Sequence, residues 1–226
     1  MKKDIVVCLF DTSGVMGEPW RAAGYRVIRL DLFNNAEFRI PEPGESLGVR
    51  ADLLHGVPDE MMQPGFLGRV AFVAAFPPCT HLAVSGARWF KGKGLRALAD
   101  SIHMFATAAE FCEAAGAPYL IENPVSTIST YWRQPDHTFH PWHFNWLDAA
   151  SSYTKKTCLW VGGGSGCRCR WSTRRYLWTR TTSTTWAAMP RTTKARTSAP
   201  SRRLASPWRC FWPMQHKTDR SSGALD

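Results

Sequence analysis

The residue in this chain best suited to covalent chemistry is Cys79, in a stretch that reads AFVAAFPPCTHL from Ala71 to Leu82. Ala71–Ala75 is a short apolar run without helical periodicity, which predicts a buried parallel strand. Pro77 and Pro78 stop that strand and stiffen the backbone. Cys79 is left on a rigid turn at the carboxyl end of a central strand, where open α/β sheets take their ligands. A thiol there is either a small buried hydrophobe or, ionised, a nucleophile. Three further features fall at the carboxyl ends of predicted strands: the glycine-containing loop Asp11–Gly17, the acids Asp31 and Asp52, and Glu122-Asn123-Pro124. Each is commonplace alone. Their order and shared edge join them to Cys79.

The elements that must position these residues follow from the pattern. Residues 5–10 (IVVCLF) predict a first strand running into the glycine turn, then a helix over 16–23 that Gly24 stops. Tyr25–Leu30 predicts a second strand ending at Asp31, completing the β-loop-α-β unit that starts a doubly wound fold. Phe33–Ser46 reads as a loop, Leu47–Leu54 holds a short strand closed by Asp52, and Pro58–Leu67 reads as a connection without clear period. After the cysteine turn comes a glycine-rich loop carrying Arg88, Lys91 and Lys93. Leu95, Leu98, Ile102, Phe105, Ala109 and Cys112 then recur at helical steps, and Gly116 and Pro118 end that helix. Tyr119–Ile121 predicts a strand leading into Glu122, residues 131–148 read as irregular, and Tyr153–Val161 predicts a last strand. The class expected is α/β, with a Rossmann-like sheet.

At 226 residues the chain is long enough for one domain with a real core. No run approaches the ~18 apolar residues of a membrane span. Asp4 and Asp11 bracket the apolar start, which therefore reads as a strand rather than a signal peptide. Seven cysteines at scattered spacing argue against a disulfide framework and for a reducing, cytoplasmic setting. The net charge of +10 is uneven: residues 165–226 hold 13 Lys+Arg against 2 Asp, whereas residues 1–164 are close to neutral. The later segment lacks Ile, Val, Glu and Asn, holds five Trp, and keeps no hydrophobic period, so it cannot build a core. Two readings are open for it. One is a basic, aromatic-laced nucleic-acid arm. The other is translation in the wrong frame from near Gly164, because permitted codons let the adjacent frame restore prolines, acids and periodicity together. The expected division is a catalytic domain over 1–164, truncated by the slip, and a disordered low-complexity tail over 165–226.

Taken together, these features over roughly residues 4–164 resemble the cytosine-5 DNA methyltransferases, and most of all their short phage-type members. The resemblance implies a Rossmann-like fold, S-adenosylmethionine as cofactor and DNA as substrate, in a monomer with no membrane partner. It implies that Phe10, Asp11, Ser13, Gly14 and Gly17 bind the cofactor, with Thr12 and Val15 standing where further glycine is usual. Asp31 would bind the ribose hydroxyls and Asp52 lie near the adenine, with Pro77 also on the cofactor side. Pro78 and Cys79 match the nucleophile turn, and Glu122 and Asn123 match the acidic pair after the next strand, with Pro124 in place of the usual apolar residue. Arg88, Lys91 and Lys93 are candidate phosphate contacts. Lys155 and Lys156 match a basic pair that supports the site.

The chemistry accounts for these residue types. Carbon 5 of cytosine is too poor a nucleophile to take a methyl group directly, and a thiolate adding at carbon 6 makes the ring enamine-like. A carboxyl group held against ring nitrogen 3 and the exocyclic amine stabilises the charge that develops. The target base must leave the duplex to reach such a pocket. An amino-directed methyltransferase (N4-cytosine or N6-adenine) is the alternative enzyme, but it needs a polar residue where Phe76 stands and an aromatic where Cys79 stands. A catalytically inactive DNA- or cofactor-binding remnant is the alternative outside catalysis. His137, His140 and His143, with Trp142 and Trp146, invite a metal reading, yet Pro141 breaks the segment and no CxxC lies beside it, so no metal is expected.

Overall fold

The structure, a computed structural model, describes residues 2–84, 90–144 and 153–163. The tail 165–226 lies outside the described residues, and with it the proposed domain division. Among the described residues seven strands form one sheet: β1 (Ile5–Leu9), β2 (Arg26–Asp31), β3 (Ser46–Arg50), β4 (Val70–Ala75), β5 (Tyr119–Pro124), β6 (His137–Phe139) and β7 (Thr157–Gly162), in the order β3-β2-β1-β4-β5-β7-β6. Strands β1 to β5 are parallel, and β7 runs antiparallel to both β5 and β6. The expected α/β class and Rossmann-like sheet are therefore present.

Order matters here more than shape. From β1 the chain moves outward through β2 to β3, then returns to lay β4 on the other side of β1. The crevice between the loops after β1 and β4 is thus the topological switch point, where such sheets bind ligands. All five parallel strands end on that edge. Asp52, Asp11 and Cys79 follow β3, β1 and β4, Asp31 closes β2 and Glu122 lies in the second half of β5, so all five fall toward that edge on neighbouring strands.

β1 is buried along its whole length, as its unbroken apolar run requires. On one face Ile5, Val7, Leu9, Val73 and Ile121 pack against the long helix α3 (Phe90–Ala115) through Phe105, Ala108, Phe111 and Cys112. Phe105 meets Trp160 edge-on at 5.3 Å between ring centres, and Trp160 Nε1 donates to the Arg133 carbonyl at 2.8 Å. Among the described residues the other face has a smaller cluster. There Val6, Cys8, Val27, Phe72 and Ala74 are closed by Trp20 of α1 (Glu18–Ala22), which stacks on Phe72 at 5.1 Å. Fully burying one such side chain stabilises by about 1.5–3 kcal/mol.

Several boundaries differ from the sequence reading. The first helix begins at Glu18 rather than at residue 16. Pro58–Leu67 is not featureless: a 3-10 turn, Asp59–Met62, precedes the one-turn helix α2, Pro64–Leu67. The long helix reaches back to Phe90 across a break at Gly94, whose φ of +79 leaves the helical region. Leu95 and Ile102 are exposed, and the buried stripe runs instead through Ser101, Phe105, Ala108, Cys112 and Ala115. The segment expected to be irregular contains the one-turn helix α4 (Ile128–Tyr131) and β6, and the last strand starts at Thr157. Among the described residues no helix is long and apolar enough to cross a membrane.

Candidate active site

The loop after β1 is built around Asp11. Phe10 leaves the strand with φ +58, a left-handed conformation that a bulky residue adopts only under constraint. That turn buries Asp11 completely, and its Oδ1 accepts the Gly14 N–H at 2.8 Å and the Ser13 hydroxyl at 3.3 Å. Ser13 Oγ in turn accepts the Val15 N–H at 3.2 Å. Gly14 has φ +75, and Gly17 faces β2 so closely that a Cβ there would lie 2.5 Å from Val27 Cγ1. Ser13 is exposed, Gly14 half-buried and Gly17 buried.

Two residues that sequence reasoning missed fasten this loop to the sheet. Arg29 of β2 donates through Nη1 to the Thr12 carbonyl at 2.7 Å and through Nε to Ser46 Oγ at 3.1 Å. Asn34 Nδ2 donates to the Asp11 carbonyl at 3.3 Å and the Arg29 carbonyl at 3.1 Å. One signal was visible: Arg29 is a long cation inside a strand whose neighbours Ile28 and Leu30 are fully buried.

Asp31 closes β2 half-buried, and its Oδ1 accepts the Phe33 N–H at 2.9 Å, leaving Oδ2 for a ligand. Asp52 lies two residues beyond β3, exposed, with Oδ1 on the Leu54 N–H at 3.1 Å. The two acids therefore flank the same edge, Asp31 one strand from the Asp11 loop and Asp52 two.

On the other side of the switch point, Pro77 is buried, and Pro78 and Cys79 are half-buried. The Cys79 carbonyl accepts the N–H groups of Leu82 and Ala83 at 3.0 and 2.9 Å, closing the turn. Glu122 and Asn123 do not follow a strand as expected. They lie within β5, because β7 continues to pair with it after β4 has ended: Ala75 meets Ile121, while Glu122 and Asn123 meet only Leu159 and Cys158. Asn123 is fully buried and donates from Nδ2 to the Pro77 carbonyl at 2.9 Å. A second tie joins the segments further out, where the Val84 N–H donates to the Val125 carbonyl at 3.0 Å. The cysteine turn and the Glu122 strand are thus locked side by side, with Glu122 itself half-buried.

The described cysteines differ sharply in environment. Cys8, Cys112 and Cys158 are buried, and Cys79 alone of the four is partly open to solvent. Burial pushes the Cys8 and Cys112 thiols far up. Burial also raises Cys158, with Lys156 opposing the shift and the Glu122 carboxylate adding to it.

Of the expected DNA contacts, Arg88 lies outside the described residues. Lys91 is exposed, and Lys93 Nζ donates to the Thr80 carbonyl at 2.6 Å, tying the start of α3 back to the cysteine turn. A cavity of about 360 Å³ opens there between His81, Leu82, Lys91, Lys93, Leu98 and Thr127; its described walls do not include Cys79 or Glu122. Lys155 and Lys156 are exposed immediately before β7, on the edge where Thr157 pairs with Pro124. Just after β6, the rings of His140, Trp142 and His143 cluster, with Trp142 6.3 Å from His140 and 4.1 Å from His143, and the two histidines 5.7 Å apart. Trp146 lies outside the described residues.

No family model and no curated protein matches the chain. Among solved structures it is similar to a candidate DNA modification methyltransferase encoded within a prophage of E. coli, at 15% identity and a TM-score of 0.38. The match covers 70% of this chain and 46% of that one, so this chain spans less than half of that protein's length.

Proposed function

We propose that the chain is a DNA (cytosine-5)-methyltransferase, with S-adenosylmethionine as methyl donor and Cys79 as covalent nucleophile. The observation that carries the reading is the Cys79 turn: a half-open thiol at the sheet's switch point, braced by the bond from Asn123 to the Pro77 carbonyl. The donor set on the neighbouring side fits the cofactor, since Asp31 keeps a carboxylate oxygen for vicinal hydroxyls one strand from a glycine turn. Phe10, Asp11, Ser13, Gly14 and Gly17 would shape its seat, with Pro77 beside it and Asp52 at the far end. When bound, S-adenosylmethionine supplies an electrophilic methyl group.

On the DNA side Cys79 Sγ, as thiolate, adds to carbon 6 of a cytosine swung out of the stack. A proton shared between the Glu122 carboxyl group and ring nitrogen 3 offsets the negative charge moved into the ring, while the other carboxyl oxygen accepts from the exocyclic amine. After carbon 5 is methylated, its proton leaves to a base and the C–S bond breaks, returning the thiolate. Asn123 and Pro78 hold the turn, while Lys91, Lys93, Lys155 and Lys156 take phosphates, with Arg88 assigned the same role from the sequence.

The test is methyl transfer from labelled S-adenosylmethionine to DNA, paired with DNA containing 5-fluorocytosine. A stable adduct that Cys79→Ser abolishes supports the reading. Transfer without an adduct indicates the amino-directed alternative. We further propose that residues 165–226 are out of frame. Sequencing the encoding DNA tests this, and equal transfer by this chain and its frame-restored version would refute a damaged tail.

A further inference from the structure

We infer that Arg29 and Asn34 are positioning residues that hold the Asp11–Gly14 loop in its ligand-receiving form before any ligand arrives. This rests on the cofactor-site reading above for its consequence, though not for its geometry. Two consecutive carbonyls, of Asp11 and Thr12, are pinned from β2 and the turn after it, by Asn34 Nδ2 and Arg29 Nη1. The next amides, of Gly14 and Val15, are taken up by Asp11 Oδ1 and Ser13 Oγ. The loop is therefore fixed from both sides, by its own short side chains above and by the sheet below.

The seat of the guanidinium explains two glycines at once. A Cβ on Gly14 would stand 3.1 Å from Arg29 Nε, and one on Gly48 of β3 would stand 2.9 Å from Arg29 Nη2. Arg29 thus lies between the loop and the β3 backbone, with Ser46 Oγ fixing its Nε. Asn34 fills the adjoining space, since the same Gly48 Cβ would meet its Cγ and Oδ1 at 3.1 Å. A binding loop held in place gains affinity because little ordering entropy is lost on binding.

The experiment uses the full chain and two readouts. The first is amide hydrogen exchange of the ligand-free protein; the second is titration with S-adenosylhomocysteine. Arg29→Met should speed exchange at Ser13, Gly14 and Val15 about tenfold or more, leave the β1 and β4 amides unchanged, and weaken binding about tenfold. Arg29→Lys should fall between, since a single amine cannot reproduce the two directed bonds. Gly48→Ala, which displaces the guanidinium without removing it, should repeat the Arg29→Met pattern and serves if that variant fails to fold. Unchanged loop exchange in both Arg29→Met and Gly48→Ala would overturn the inference. A wild-type chain that exchanges as expected but does not bind S-adenosylhomocysteine would instead count against the cofactor reading and leave the brace standing.

Discussion

Cys79 is distinguished by its environment as much as by its place. Burial raises the Cys8 and Cys112 thiols, and burial, against the opposing Lys156 charge, raises Cys158 as well, so none of these competes as a thiolate. Iodoacetamide at neutral pH should therefore label Cys79 well ahead of those three, read by peptide mass mapping at limiting reagent; faster labelling of any of them would contradict the environment described. Asn123 is the residue on which the turn depends. Its amide is buried and satisfies the Pro77 carbonyl, so Asn123→Ala leaves a buried acceptor unpaired at a cost of about 1–3 kcal/mol. Urea denaturation should show that loss. On the proposed function, methyl transfer should fall further than the unfolded fraction explains, because the turn carrying the proposed nucleophile loosens.

At the scale of elements, two glycines of the first β-loop-α-β unit separate two causes of strain. Gly17 has an ordinary φ of −78, yet a Cβ there would overlap Val27 Cγ1, so Gly17→Ala must push α1 off β2. Overpacking of this kind costs about 1–3 kcal/mol. Gly24 has φ +86 and open space around it, so Gly24→Ala costs about 1 kcal/mol from backbone conformation alone. Val27→Ala should rescue Gly17→Ala in a double-mutant cycle and leave Gly24→Ala unrelieved, measured by thermal denaturation. This unit was legible because its signals are local: an apolar run, a glycine, a helix stop and a second apolar run. Glu122 was placed wrongly for the opposite reason. Its strand membership comes from β7, some 35 residues later in sequence, and nothing local to Tyr119–Pro124 announces that partner. Leu95 and Ile102 satisfied a helical period but not the buried stripe, since periodicity finds a helix without saying which face meets the sheet. Arg29 and Asn34 escaped notice because their roles lie in hydrogen bonds to main-chain carbonyls that no side-chain pattern records.

At the scale of the molecule, the sheet separates function from fastening. The carboxyl edge carries the candidate chemistry, and the opposite edge carries an ion-pair staple. Asp4, just before β1, accepts from Arg69 Nε at 3.0 Å and Nη2 at 2.9 Å, and from Arg26 Nε at 3.0 Å, so one carboxylate ties the starts of β1, β2 and β4. The Arg69 hydrogen bonds, ahead of the single one from Arg26, hold its pKa below the ordinary 3.8 despite the opposing effect of burial. The sign follows. A carboxyl whose pKa is lower in the folded chain contributes stability that is fully present above the unfolded value, and it is lost as pH falls through the folded value. The wild-type chain should therefore lose stability as pH drops below about 4, and Asp4→Asn should reduce both the stability at neutral pH and the steepness of that acid limb. Part of the slope should survive, because Arg39 holds Glu45 down to about 2 and contributes in the same direction. Urea midpoints measured from pH 7 to pH 2 would check this, and an unchanged acid slope in Asp4→Asn would remove Asp4 from the account. Since the staple sits across the sheet from Cys79, the same variant should leave methyl transfer per folded molecule, and its dependence on pH, as in the wild type.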